Sequence, residues 1–250
     1  MSIPNLSAAG KVVVVTGASK GLGRAMALGF AEAGADVVVA SRRLDACEAV
    51  ADEVRALGAR ALAVACHVGD WDDCAALVAA SVEAFGRIDV LVNNAGIAPV
   101  PPSLLGVTSE LFDKTIAVNL KGPLRLTALA VEHMPRGGAV INISSKASVH
   151  PSPFTVVYAA AKAGQNALTK ATAQEFGGRG IRVNGIVCGV FHTDSFHSSA
   201  PSEEMQYRMA ERVTLGRIAA AEEIVGTALY LASDASSYLT GELIMLDGGS

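Results

Sequence analysis

Short runs of β-branched and other apolar residues alternate along the chain with longer stretches of helical patterning. The runs KVVVVTG (11–17), DVVVAS (36–41), ALAVAC (61–66), IDVLVNN (88–94), GGAVINISS (137–145), IRVNGIV (181–187) and ELIMLDGG (242–249) predict seven strands. Between them the pattern predicts helices over 23–34, 44–57, 71–85 and 109–134, and another across VVYAAAKAGQ from residue 156. The strand runs are continuously apolar rather than alternating, as in parallel strands covered on both faces. Strand–helix alternation of this kind predicts an α/β fold built on a doubly wound parallel sheet with helices on both faces. No linker or shift in composition divides the chain, so one domain over 1–250 is expected.

One region breaks the rhythm. Around 190–217 the text VFHTDSFHSSAPSEEMQYRMAERVTLGR mixes apolar, polar and helical pieces between two core elements. A long insertion at the strand ends of such a sheet reads as a substrate lid. Composition adds exclusions. With 51% hydrophobic and 18% charged residues, 250 residues carry ample material for a core. A net charge of −4 with no basic block argues against nucleic acid as partner. No apolar run is long enough to span a membrane, and the N-terminus lacks the pattern of a signal peptide. Cys47, Cys66, Cys74 and Cys188 are scattered, which reads as a reduced, cytoplasmic protein without a zinc site. His150, His192 and His197 lack ligand spacing, and no metal is expected.

Candidate chemistry gathers at two places. In VVVVTGASKGLGRAM, Gly17, Gly21 and Gly23 stand between a strand and a helix start. Glycines there let the backbone approach a pyrophosphate whose charge the helix N-terminus stabilises. The second place is Tyr158 and Lys162, four apart in an alanine-rich segment and therefore on one helix face. A nearby cation favours tyrosinate and brings the phenol toward working pH, as general acid–base catalysis requires. Taken alone, the pair reads as a packed aromatic and a solvated lysine, because Y-x-x-x-K is common by chance.

TGASKGLG (16–23), NNAG (93–96), Asn119 in VNLKG, Ser145 and YAAAK (158–162) follow one another in an order and spacing that resemble the short-chain dehydrogenase/reductase family, from about residue 10 to the C-terminal DGG. The resemblance implies a single Rossmann-type domain, a nicotinamide cofactor and a homotetramer or dimer. It implies that Tyr158 is the general acid/base and that Lys162 lowers its pKa and holds the nicotinamide ribose. Ser145, thirteen residues before the tyrosine, would orient the carbonyl, and Asn119 would hold a water of a proton relay. Cofactor contacts carried over are Thr16, Gly17, Ser19, Lys20, Gly21, Leu22, Gly23, His67, Val68, Asn94, Ala95, Gly96, Gly189, Phe191 and Thr193, besides Tyr158 and Lys162. His67 stands where an aspartate is common, so its contact and that of Val68 are expected from the backbone. Phe191 would offer its backbone, and Thr193 its side chain, to the carboxamide. Cys188 replaces the usual proline, removing a preset φ.

Ser41 occupies the place where an aspartate favours NAD, and Arg42 and Arg43 follow, with Lys20 in the glycine loop directed at the same region. A single charge-assisted contact of about 1.5–3 kcal/mol gives at least about tenfold preference, so NADP(H) is expected over NAD(H). The pocket should be apolar, drawing on 148–157 and on Phe191, Phe196, Met205, Tyr207 and Met209. The expected substrate is a bulky or hydrophobic ketone or aldehyde, or its alcohol. The alternatives are a 3-oxoacyl-thioester reductase, for which Arg125, Arg136 and Lys170 are scattered candidates to meet an acidic carrier, and a silent NADP(H)-binding sensor.

Overall fold

The computed structural model describes residues 6–135, 137–193, 196 and 202–250. Seven parallel strands form one sheet: β1 (Val12–Thr16), β2 (Asp36–Ser41), β3 (Ala61–Ala65), β4 (Val90–Asn93), β5 (Ala139–Ser145), β6 (Arg182–Cys188) and β7 (Leu243–Leu246). Their order is β3-β2-β1-β4-β5-β6-β7, so the winding direction reverses between β1 and β4. Each expected strand is present, β2 over its expected range and the others trimmed or shifted by one to three residues.

Alternate residues of the central strands feed two apolar layers. On one side Val13 and Val15 meet Met26 and Phe30 of α1 (Gly21–Glu32), Val50 of α2 (Leu44–Ala56) and a C-terminal helix. On the other side Val14 and Val140 meet Leu77 of α3 (Trp71–Phe85) and Leu126 of a helix that follows β4.

The helix expected over 109–134 is broken. It consists of α4 (Ser109–Ile116), a π-helical turn (Ala117–Lys121) that holds Asn119, α5 (Gly122–Ala130) and a closing 3-10 turn (Val131–His133). The cause lies in Gly122–Pro123. A Cβ on Gly122 would stand 2.2 Å from the Val68 carbonyl oxygen, and Pro123 has no N–H to give to the Asn119 carbonyl four residues back. The alanine-rich segment forms α6 (Val156–Phe176). Beyond it lie α7 (Glu203–Ala210) and α8 (Ile224–Ala232). The sequence reading gave no element to 224–232, where Ile224, Ala228, Leu231 and Ala232 close the core against α1. Gly29 permits that contact, since a Cβ there would fall 2.3 Å from Val225 Cγ1.

Arg182 opens β6 with its guanidinium buried. Its Nη1 donates to Leu231 O (2.7 Å) and Ser236 Oγ (2.6 Å), and Nη2 to Ser233 O (3.2 Å), satisfying carbonyls at the end of α8. Replacing Arg182 with Met keeps apolar bulk and leaves these acceptors bare. We expect a loss of about 2–3 kcal/mol, read as a lower urea midpoint at unchanged slope.

Candidate active site

The reversal of strand order sends the loops after β1 and β4 in opposite directions, opening a crevice at the carboxyl edge of the sheet. Thr16 fastens the two loops together. Its Oγ1 donates to Val92 O (3.1 Å) and accepts from Asn94 N (3.0 Å) and Ala95 N (3.1 Å). Asn94 Nδ2 returns bonds to Thr16 O (2.8 Å) and Gly17 O (3.3 Å). Gly17 has φ +65°, and a Cβ on it would lie 2.8 Å from Ala95 Cα. A Cβ on Gly23 would lie 2.3 Å from Gly17 O and 2.5 Å from Asn94 Nδ2. The bare backbone of this junction, at the start of the twelve-residue helix α1, is a cradle for an anionic phosphate group.

A cavity of about 580 Å³ runs from this loop along the crevice. Gly17, Ser19, Lys20, Gly21, Leu22, Gly23, Asn94, Ala95 and Gly96 line its middle. Ser41, Arg42, His67 and Val68 line it beyond the loop, with Ser19 Oγ donating to Ser41 Oγ (3.0 Å). Among the described residues its charged walls are Lys20, Arg42, Lys114 and Lys162, with no carboxylate. Two expected contacts stand elsewhere. Arg43 is exposed at the start of α2, off the cavity wall, with its Nε 3.9 Å from Asp45. Thr16 is buried behind the wall and acts through the loops it ties. The backbone of His67 is already committed, its N–H to Asp73 Oδ2 (2.8 Å) and its carbonyl to Asp70 N (2.7 Å). Its imidazole, rather than the expected backbone, is left to meet a ligand.

Ser145 ends β5, Tyr158 lies in the first turn of α6 and Lys162 one turn on; all three line the cavity. Burial pushes the Tyr158 phenol above its ordinary value, and a hydrogen bond with Ser145 opposes that rise. Tyr158 is therefore a phenol, able to donate a proton, at neutral pH. The expected lowering of the phenol is not seen in this structure, where no effect on it comes from Lys162. Its Nζ donates to Ile143 O (2.6 Å) and to Gln165 Oε1 (2.9 Å). Desolvation lowers the Lys162 ammonium to about 8, with a smaller opposing effect from the neighbouring Cys188. Burial raises the Cys188 thiol to about 12, so it is a neutral packing group.

Asn119 is fully buried on the π-helical turn. Both Nδ2 protons are spent, on Ile97 O (2.9 Å) and Thr115 O (3.0 Å), and Oδ1 accepts from Ile97 N (3.1 Å). Its amide braces the loop after β4 beside Lys162. Pro123, four residues on, has no N–H to offer the Asn119 backbone carbonyl. π-Helical turns recur at functional sites.

The far wall carries Cys188, Gly189, Val190, Phe191, Thr193, Phe196 and Met209. Thr193 Cγ2 packs 3.4 Å from where a Gly21 Cβ would stand. The bridge of Phe191 with Ala219 uses Val190 O and His192 N, so the backbone of Phe191 stays outside it. Met205 and Tyr207 are exposed and off the wall, as is most of 148–157 apart from Thr155. The start and end of the 190–217 segment rest on the C-terminal strand end. Gly189 N donates to Leu246 O (2.9 Å), Leu215 N to Gly248 O (3.1 Å) and Thr214 Oγ1 to Gly249 O (2.6 Å). His197 and Arg136 lie outside the described residues. Sequence reasoning missed Ile97, Ala98, Lys114 and Ala147 on the wall and Gln165 behind it. Only Gln165 carried a signal, a polar residue three positions from Lys162 on the same helix face.

A doubly wound parallel sheet with a glycine-lined crevice at its switch point defines a dinucleotide-binding protein of the Rossmann type. The family profile described as Enoyl-(Acyl carrier protein) reductase matches residues 17–250. L-rhamnose 1-dehydrogenase (NAD(P)(+)) of Azotobacter vinelandii is 39% identical over 246 residues, covering 96% of each chain. The 3-oxoacyl-acyl-carrier-protein reductase of Thermotoga maritima is 38% identical over 242 residues, 96% of this chain and 97% of that one. Among solved structures, a short-chain type dehydrogenase/reductase from Mycobacterium marinum superposes with TM-score 0.91 at 36% identity, covering 98% of this chain and 96% of that one. A candidate NAD(P)-dependent gluconate 5-dehydrogenase from Beutenbergia cavernae with bound NADP gives TM-score 0.92 at 36% identity, covering 98% of both chains. The chain belongs to the short-chain dehydrogenase/reductase family of oxidoreductases. Among the described residues no helix is long and apolar enough to cross a membrane, and no group of His, Cys, Asp or Glu side chains could hold a metal.

The junction at Gly23 gives a direct test. Gly23→Ala forces the loop away from Gly17 O and Asn94. Losing one charge-assisted phosphate contact costs about 1.5–3 kcal/mol, so dinucleotide affinity should fall roughly ten- to hundredfold in calorimetric titration.

Proposed function

We propose that the protein is an NADP(H)-dependent oxidoreductase that interconverts a hydrophobic ketone or aldehyde and its alcohol. The observation that carries this reading is one cavity with Ser145, Tyr158 and Lys162 on one wall and a carboxylate-free, cationic stretch at Ser41, Arg42 and Lys20 on another. The cradle at Gly17 and Gly23 and the switch-point crevice fit a nicotinamide dinucleotide. Bound there, the cofactor supplies the hydride that carbonyl reduction needs. Ser145 orients the carbonyl oxygen and tunes Tyr158 through their shared hydrogen bond. Tyr158 holds the proton that the oxygen receives, and its raised pKa keeps that proton in place at neutral pH. Lys162 holds the ribose, and Asn119 supports the path by which Tyr158 regains a proton. Ser41 and Arg42 take the 2′-phosphate, with Lys20 beside them.

Ala98, Thr155, Val190, Phe196 and Met209 offer one hydroxyl among apolar groups, which favours a hydrophobic carbonyl over a polyol. The likeness to the Thermotoga maritima enzyme favours a 3-oxoacyl thioester as second reading. Residues around 190–217 act as the lid in either case. The reading includes a cytoplasmic homotetramer or dimer, in keeping with the exposed Phe112 and Leu124 on α4 and α5; light scattering reads the assembly.

NADPH oxidation across ketones, aldehydes, aldoses and acetoacetyl thioesters tests the reading, with bulky ketones expected to turn over fastest. Tyr158→Phe should lower kcat by about 10²–10⁴ while NADPH still binds; retained kcat refutes the acid role. Arg42→Asp should cut the NADP-to-NAD ratio of kcat/KM by at least about tenfold. A wild-type preference for NAD overturns the cofactor assignment.

A further inference from the structure

Gln165 lies in the interior of α6 with no exposed surface. Its Oε1 accepts from Lys162 Nζ at 2.9 Å, while its Nε2 has no hydrogen-bond partner among the described residues. A buried amide with one end unpaired is a poor packing choice. Leucine or methionine would fill similar space without an orphaned donor. The amide must therefore do something an aliphatic side chain does not, and its one bond is to the ammonium. Lys162 has three N–H groups. Ile143 O takes one at 2.6 Å and Gln165 a second, leaving one for the cavity that Lys162 lines.

The surroundings offer little else to hold a positive charge. Tyr158 on the same helix is a phenol, and Cys188 at the end of β6 is a neutral thiol. Asn119 on the π-helical turn and Gly96 after β4 are uncharged, and a Cβ on Gly96 would lie 3.8 Å from Nζ. No carboxylate is among the groups acting on Lys162. We propose that Gln165 is a positioning residue for Lys162: its amide oxygen, with Ile143 O, keeps the buried amine protonated and fixes which N–H faces the cofactor cavity. Only the consequence for cofactor binding rests on the reading that Lys162 holds the ribose.

The sign follows from hydrogen bonding to the charged form. Loss of the Gln165 acceptor disfavours the ammonium, so the lysine loses its charge at lower pH. Gln165→Glu supplies an anion and moves the change the other way. The experiment follows Lys162 Cε by NMR in carbon-13 lysine-labelled enzyme from pH 6 to 10.5, with Lys162→Met to assign the signal. Wild type should titrate near the value of about 8 that burial sets. Gln165→Leu should titrate about one unit lower, and Gln165→Glu at least about one unit higher. Gln165→Met, unbranched like the native residue, serves in place of leucine if that variant does not fold. Coincident titrations in wild type and the aliphatic variant overturn the proposal.

NADPH affinity against pH, read by fluorescence, tests the underlying assignment separately. In Gln165→Leu binding should be about tenfold weaker than wild type at pH 9 and near wild type at pH 6. A loss uniform across pH overturns the positioning role in favour of packing. A shifted NMR titration with unshifted affinity overturns Lys162 as the ribose contact and leaves Gln165 as its positioning residue.

Discussion

Where the winding of the sheet reverses, two loops leave adjacent strands in opposite directions, and nothing in the sheet ladder fixes the distance between them. Thr16 and Asn94 supply that constraint. One hydroxyl and one amide, with the backbone of Val92, Ala95 and Gly17, bind the end of β1 to the end of β4. The glycines then become obligatory. With the loops this close, side chains at 17 and 23 would collide with backbone across the junction. The open phosphate cradle is thus a by-product of the clasp as much as of the glycines, and the rest of the cavity is measured from it.

A second polar assembly fixes the other wall. Asn93 and Asn142 are paired in register on β4 and β5. Asn93 Nδ2 donates to Asn142 Oδ1 (2.9 Å) and Thr127 Oγ1 (3.2 Å), and Asn142 Nδ2 to Thr169 Oγ1 (2.9 Å) on α6. Asn166 Nδ2 adds a bond to Ser148 Oγ (2.8 Å), just past Ser145. The face of α6 toward the sheet is therefore held by directional bonds rather than by a sliding apolar stripe. A helix that meets its sheet on Leu and Val tolerates small shifts, whereas these bonds weaken steeply with misalignment. That stiffness keeps Tyr158 in register with Ser145.

The strands were legible because unbroken Val-rich runs have few other uses, and the glycine loop because its spacing follows a strand. The break at Asn119 was hidden because VNLKGPL has helical patterning, and what opens the helix is the tertiary approach of Val68 to Gly122. Residues 224–232 went unassigned because they are apolar on nearly all sides and lack periodicity. At the site, the motif residues Ser145, Tyr158 and Lys162 do line one cavity, but orientation was not legible. The ammonium's turn toward Ile143 and Gln165, the commitment of the His67 backbone to Asp70 and Asp73, and the departure of Arg43 toward Asp45 all depend on partners distant in space or chosen by loop geometry.

The contacts of the C-terminal strand end bear on how the cavity wall can rearrange. Gly189 at one end of the segment and Thr214–Leu215 at the other both bond to Leu246–Gly249. A stretch with both feet on the same post cannot swing open about a single hinge. Its two described ends are tied to one strand end, so neither can leave the sheet without breaking bonds to Leu246–Gly249. Much of the entropy of closing that loop is therefore already spent on folding.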